Sequence, residues 1–250
     1  MELGELNELK LLRGREVSID DVGILKPIII DELVDIGEKI YYQYLNNLCF
    51  DIDNLNITRE EKQELETQNI TPYHLIVSRC THDDEYRNLI IEAFQFFFRE
   101  EVLFADSIGI FIIGGISSTR FINIENFENI RQVLRLQNGL SKNDVLDENP
   151  KDEKTRILLE KRRKAREKLA KAKSKDNGDT EPITFADLVS IMCANANGVN
   201  HENVWYMNIY MFQNQFQRLK LMDDYDISIR SLLAGADPNE IDLKHYMSHL

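Results

Sequence analysis

A helical stripe of large apolar residues in the last third of the chain constrains its fold most. The stripe consists of Ile209, Phe212, Phe216, Leu219, Met222 and Tyr225. These residues recur every three or four positions, which is the spacing of one face of an α-helix. Asn208 immediately precedes the stripe and is a favoured N-cap residue. The pattern predicts a long helix that packs against a core or a partner.

The first 140 residues predict an α+β unit. The alternation of Val17 and Ile19 with polar residues indicates a small β-hairpin, with its two extended runs on either side of Gly14. One helix is predicted from about residue 31 to Leu48. A short β-branched strand is predicted over residues 108–113, before the turn at Gly114 and Gly115.

Further helices are predicted from their start signals. Thr58 with Glu61 has capping-box spacing, and Thr71 before Pro72 combines an N-cap with a proline at the first helical position. A buried helix is predicted from Glu85 through Val102 and Leu103, because apolar residues cover most of its circumference. The other predicted starts are Asn123 or Asn126, Thr184, and Asp237 before a short last helix. The fold class is therefore mainly α (α+β), helical with a small N-terminal β-hairpin and a short mid-chain strand element.

Charge is unevenly distributed along the chain. Residues 151–175 hold 12 Lys and Arg residues against four acidic residues, so this segment is +8 within a chain of net charge −13. The segment is rich in strong helix formers and predicts an exposed helix. We therefore expect three parts: an N-terminal α+β domain (1–140), a polar linker with the basic helix (141–182) and a C-terminal helical module (183–250).

No motif in the sequence predicts a catalytic or metal site. His245 and His249 have helical spacing but no third ligand, and three widely spaced Cys residues without a CxxC pair predict neither a disulfide framework nor zinc. Cys80, His82 and Asp83 lie too close in sequence to face one another as a triad. We therefore expect no enzyme and no cofactor. A cleft in which His74, His82 or His201 lies beside carboxylates would support an enzymatic function.

The sequence also predicts no membrane association. The N-terminal residues lack the basic and apolar regions of a signal peptide, and no later segment reaches 18 uninterrupted apolar residues. An acidic body repels phosphate backbones and anionic lipids. We therefore expect a soluble protein of a reducing cytoplasm.

Several segments together resemble a family of phage proteins. They include Leu9-Lys-Leu-Leu-Arg-Gly-Arg and Gln215-Phe-Gln-Arg-Leu. The remaining segments are residues 25–27, 32–42, 130–140 and 230–236. The set is similar to proteins encoded beside the tape measure in tailed phages or prophages of Gram-positive bacteria, which are regarded as tail assembly chaperones.

The resemblance implies a non-enzymatic role in the cytoplasm of the infected host. The chain would bind the long helical tape measure protein, keep it from aggregating and help tail tube subunits polymerise around it. The tail tube protein and a second copy of the chain are further candidate partners. The candidate partner contacts are Trp205, Tyr206, Tyr210, Phe212 and Phe216. The candidate cations for electrostatic docking are Arg162, Arg163, Lys164, Arg166 and Lys168.

Two alternatives stay open at this point. A nucleic-acid-associated phage protein would use the cations of residues 151–175, although the segment lacks the interleaved aromatic residues that stack on bases. A structural virion component, such as a tail or connector protein, would remain in the finished particle. The aromatic residues of 205–216 are also compatible with an ordinary core.

Overall fold

A computed structural model gives the architecture of the chain. It describes residues 8–52, 55, 58–140, 183–195, 198–237, 241 and 243–248. The N-terminal elements are α1 (Glu8–Arg13), β1 (Val17–Ile19), β2 (Gly23–Leu25), α2 (Ile30–Ile36), α3 (Glu38–Leu48), α4 (Arg59–Thr67), α5 (Pro72–His82) and α6 (Asp84–Phe98). They are followed by β3 (Val102–Ala105), β4 (Ile110–Ile113), β5 (Arg120–Ile122), α7 (Ile124–Gln137), α8 (Phe185–Ala194), a 3₁₀ turn (Val204–Tyr206) and α9 (Ile209–Leu233). The predicted fold class is confirmed.

The N-terminal hairpin exists, but its predicted position was wrong. Residues before Gly14 form α1, and the antiparallel pair joins β1 to β2 with Val17 opposite Leu25. Gly14 has a φ of 70° and donates its N–H to the Leu11 carbonyl, while Arg15 donates to Lys10. These two bonds form the Schellman motif that ends a helix at a left-handed glycine. Gly14 is therefore a helix stop and not a hairpin turn.

Two predicted helices have other bounds in the structure, and the predicted mid-chain strand is confirmed as part of a larger sheet. The helix predicted over residues 31–48 is divided into α2 and α3 by Gly37, whose φ of 84° lies outside the helical region. The predicted mid-chain strand is one of three, because β4 pairs with β3 on one side and β5 on the other. Val102 belongs to β3 and not to the preceding helix, which ends where Arg99 turns left-handed.

Several predicted caps are confirmed. Thr58 and Glu61 form the capping box of α4, and Thr184 with Asp187 does the same for α8. Asn123 caps α7 by accepting backbone N–H bonds. The predicted helix after Asp237 falls partly on residues outside the described set, and the described residues 243–248 contain a turn.

The core surrounds α6 and the three-stranded sheet. Phe94 on α6 packs 5.0 Å from the Phe111 ring and 6.3 Å from the Phe127 ring, measured between ring centroids. The buried hydroxyl of Tyr73 lies 2.8 Å from the Ile122 carbonyl oxygen and joins α5 to the sheet. Aromatic side chains dominate such cores because each buries a large apolar area.

The C-terminal elements contribute to the same hydrophobic cluster. Phe185 and Met192 of α8, Val204 of the 3₁₀ turn, and Ile209 and Phe212 of α9 are buried in it with residues of the first 140. Backbone bonds join the two parts directly: Ile30 donates to Met207 and Ile209 donates to Ile28, each over 3.0 Å. The division into three parts remains a prediction, and residues 141–182 lie outside the described residues.

A group of ion pairs fixes the end of α3 to α7. Arg131, only 3% exposed, places its Nη2 atom 2.8 Å from Asp51 Oδ1, and Arg135 Nη2 lies 2.6 Å from Asp51 Oδ2. The same guanidinium groups donate to the Phe50 and Cys49 carbonyls. Burial raises the pKa of Asp51, but hydrogen bonds from Arg135 and Arg131 outweigh this effect, so the pKa of Asp51 is lowered.

We predict that Asp51→Asn lowers the free energy of unfolding by about 1–2 kcal/mol at neutral pH, because it removes the carboxylate shared by Arg131 and Arg135 and leaves buried Arg131 paired with Glu128 alone. The pKa of Asp51 is lowered in the folded state. Its contribution is therefore complete above an unfolded pKa of about 3.9 and is lost as pH falls through the folded value. Urea denaturation at several pH values measures the difference between variant and native chain, which must shrink in acid.

The matched control is Asp224→Asn, at an exposed carboxylate on α9. It should change stability by less than about 0.5 kcal/mol. An Asp51 variant as stable as this control would contradict the role assigned to the ion pairs.

Candidate partner-binding surface

An apolar groove runs between α2 and α8. It encloses about 330 Å³ and is closed at one side by the 3₁₀ turn. Its lining residues are Ile30, Leu33, Val34, Gly37, Glu38, Phe185, Ala186, Val189, Ser190, His201 and Trp205. Most of these residues are apolar, so the groove offers little that would orient a polar substrate.

The α2 wall follows from the spacing of its apolar residues. Ile30, Leu33, Val34 and Gly37 recur at the intervals of one helical face. Ile30 and Leu33 are buried and form the floor, whereas Val34 is 56% exposed and forms the rim. Gly37 has no side chain and leaves the end of this wall open.

The α8 wall begins at the Thr184 capping box. Phe185 and Val189 are buried in the floor, and the exposed residues Ala186 and Ser190 line the groove beside them. The Phe185 N–H donates to Glu38 Oε2 over 3.4 Å. This bond connects the start of α8 with the start of α3 and sets the groove width at that end.

Trp205 is held at the groove by its own turn. Its indole Nε1–H donates to the His201 carbonyl over 2.6 Å, and the neighbouring Val204 is fully buried. The indole has only this one donor. With the donor satisfied inside the chain, Trp205 presents its apolar ring to the groove.

The five predicted partner residues do not form one surface. Trp205 lines the groove, and Tyr206 beside it is 75% exposed. Tyr210 is half-buried, and burial, assisted by the Glu8 carboxylate, raises the pKa of its phenol. Phe216 is half-buried against the core.

Phe212 requires a correction, because the structure places it in the core. It is 1% exposed, and its ring centroid lies 5.2 Å from that of Phe185. A residue buried beneath α8 does not reach a partner in this fold. Its helical spacing correctly predicted an inward face, and the core occupies that face.

The groove residues Val34, Ala186 and Ser190 were not predicted from the sequence. Their signal was weak, because each is a small residue beside a core position and none stands out by composition. The pair Leu33 and Val34 was the available indication, since two adjacent apolar residues widen the stripe of α2 beyond a single buried row. The five candidate docking cations, Arg162, Arg163, Lys164, Arg166 and Lys168, lie outside the described residues.

The second half of α9 carries exposed apolar residues. Burial of the predicted stripe stops at Leu219, and Met222, Ile227 and Leu233 are exposed. The segment near the C-terminus returns to this helix: Arg218 Nη1 donates to the Tyr246 carbonyl over 2.8 Å, and Tyr225 packs 5.0 Å from His245.

Cys80, His82 and Asp83 make structural contacts, whereas His201 and Glu38 line the same groove. Cys80 is fully buried, and desolvation raises the pKa of its thiol to about 12. His82 Nδ1 lies 2.8 Å from the Ser78 carbonyl, and Asp83 caps α6 by accepting the Tyr86 N–H. Within the part of the chain that the structure describes, no three His, Cys, Asp or Glu side chains are grouped to hold a metal. None of the described helices is long and apolar enough to cross a membrane.

The C-terminal part of the chain matches a known family. Residues 172–250 match the family described as the YomV second domain. The match spans less than half of the chain and includes α8, the 3₁₀ turn and α9. It supports a phage-type protein. No curated protein and no solved structure matched the chain.

We predict that Phe212→Ala lowers the free energy of unfolding by about 3–5 kcal/mol, because it leaves a cavity beneath α8. Tyr206→Ala, at an exposed ring next to the same groove, should change it by less than about 0.5 kcal/mol. Chemical denaturation of both variants measures the difference. Similar losses in the two variants would contradict the division between core and surface.

Proposed function

We propose that this chain is a non-enzymatic phage tail assembly chaperone that binds helices of the tape measure protein in the α2–α8 groove. The observation that carries the proposal is the groove itself, an apolar cavity of about 330 Å³ beside Trp205. Amphipathic helices bind such grooves by inserting side chains spaced three or four residues apart. A tape measure, as a long helical protein, would offer many such faces.

The dimensions of the groove agree with this mode of binding. A helix with its side chains is about 10–12 Å across, so a cavity of this volume does not enclose one. It instead accepts a few side chains from one helical face. Val34 and Trp205 would contact the helix at the rim, and exposed Tyr206 would extend the contact.

The net charge supports a chaperone that acts in the cytoplasm of the infected host. A complex that carries apolar helices stays dissolved when its surface has a large net charge, and this chain supplies −13. The tail tube protein would then join the loaded complex during polymerisation.

A structural virion component is the second candidate function. The exposed apolar residues Met222, Ile227 and Leu233 on α9 favour it, because a permanent subunit needs contact surfaces in addition to one groove. The two functions predict different locations of the chain after tail assembly. A chaperone leaves the assembled tail, and a virion component stays.

We predict that Val34→Glu abolishes co-purification with the tape measure protein encoded nearby in the source genome. Position 34 belongs to the apolar lining that receives the stripe of the helix, so a carboxylate there would be buried against apolar side chains, at a cost of several kcal/mol. Co-expression followed by affinity purification measures the complex, and the soluble fraction of the tape measure reports protection from aggregation.

The matched control is Ile116→Glu, because Ile116 is also β-branched and is 87% exposed in the β4–β5 turn. This variant should bind as the native chain does. A tape measure that neither binds the native chain nor gains solubility from it would overturn the proposal. Detection of the chain in purified particles would favour the virion component.

A further inference from the structure

The charged residues of the segments that form the groove walls are mostly acidic. Residues 30–38 and the described residues 183–195 and 198–205 contain Asp31, Glu32, Asp35, Glu38, Asp187 and Glu202, and contain no Lys or Arg. Glu32 is paired with Arg99. Among the other five carboxylates, Glu38 lines the cavity, and Asp31 and Asp35 are exposed on α2 beside it. Lys39, directly after Glu38, and the groove residue His201 are the basic residues adjoining these segments.

We propose that the groove selects a helix whose apolar stripe is flanked by Lys or Arg residues. This inference rests on the proposed function and names the chemistry of the helix that would bind. The apolar residues of the groove would receive the stripe, and the carboxylates along its edges would pair with the flanking cations. Charges arranged in this way contribute more to partner choice and association rate than to affinity.

The arrangement on α2 and α3 places charge beside the apolar face. Asp31 follows the groove residue Ile30, and Asp35 follows Val34, so each carboxylate is about 100° around the helix from its neighbour. Glu38 lines the groove directly. A Lys or Arg side chain reaches such edges readily, because its aliphatic part lies along apolar surface while its charged end remains in water.

The same charges disfavour a second copy of this chain as the occupant. The exposed distal half of α9 is the obvious apolar helix that another copy would offer, with Met222 and Ile227. Asp223, Asp224 and Asp226 are interspersed among these residues. Pairing this acidic helix with an acidic groove would place like charges together, which is destabilising.

Two synthetic helical peptides of 18 residues test the inference on the full chain. Both carry Leu at positions spaced three and four apart and lack Trp and Tyr; one has Lys beside the stripe and the other has Glu. Trp205 is the single Trp of the chain and lines the groove, so its fluorescence reports occupancy directly. We expect the Lys peptide to shift the emission saturably and to bind at least about tenfold more tightly than the Glu peptide. The difference should diminish at high salt.

The double variant Asp35→Asn and Glu38→Gln should remove most of this preference, while Glu64→Gln with Glu66→Gln on α4 should leave it unchanged. Equal binding of both peptides, or binding of neither, would overturn the charge selectivity. Co-purification of the tape measure is measured separately. A tape measure that binds in spite of such a result would leave the proposed function standing without this inference.

Discussion

The packing of the C-terminal helices on the N-terminal part depends on the short antiparallel bridge between Ile29 and Asn208. Its two backbone bonds join the start of α2 to the start of α9 across almost 180 residues of sequence. Asn208 is buried and has three roles there: its Oδ1 accepts the Met211 N–H as the N-cap of α9, its Nδ2 donates to the Leu12 carbonyl, and its backbone forms the bridge. Gly14 passes so close that a Cβ atom there would lie 3.0 Å from Asn208 Nδ2.

The bridge also creates the groove. Met207, which accepts the N–H of Ile30, directly follows the 3₁₀ turn that carries Trp205. The same bond therefore holds the indole next to α2, while the Phe185 N–H bond to Glu38 holds α8 on the other side. The groove is a consequence of how the C-terminal elements pack on the N-terminal ones, and neither part forms it alone. The buried side chains of each wall pack in the core. The apolar side chains at the rim therefore stay exposed.

Local signals in the sequence predicted local structure well. The caps at Thr58, Asn123, Thr184 and Asn208 are all formed, because each depends only on residues two or three positions away. The pairing of β3 with β4 could not be read from β3 itself, since the apolar residues near Val102 fit a helix equally well. Phe212 and Trp205 illustrate the same limit at the site. Both are large aromatic residues near the start of α9, and their spacing does not distinguish them. The contact with Phe185 places Phe212 in the core, whereas Trp205 lines the groove.

Hydrogen exchange of the chain, alone and in complex with the tape measure protein, tests the central claim most directly. If the groove binds a helix, amides of α2 (Ile30–Ile36) and α8 (Phe185–Ala194) should exchange more slowly in the complex, because binding suppresses the local opening of both walls. Amides of α4 (Arg59–Thr67) should exchange at the same rate in both samples. Protection confined to the distal half of α9, with α2 and α8 unchanged, would contradict the account and assign binding to that part of the helix.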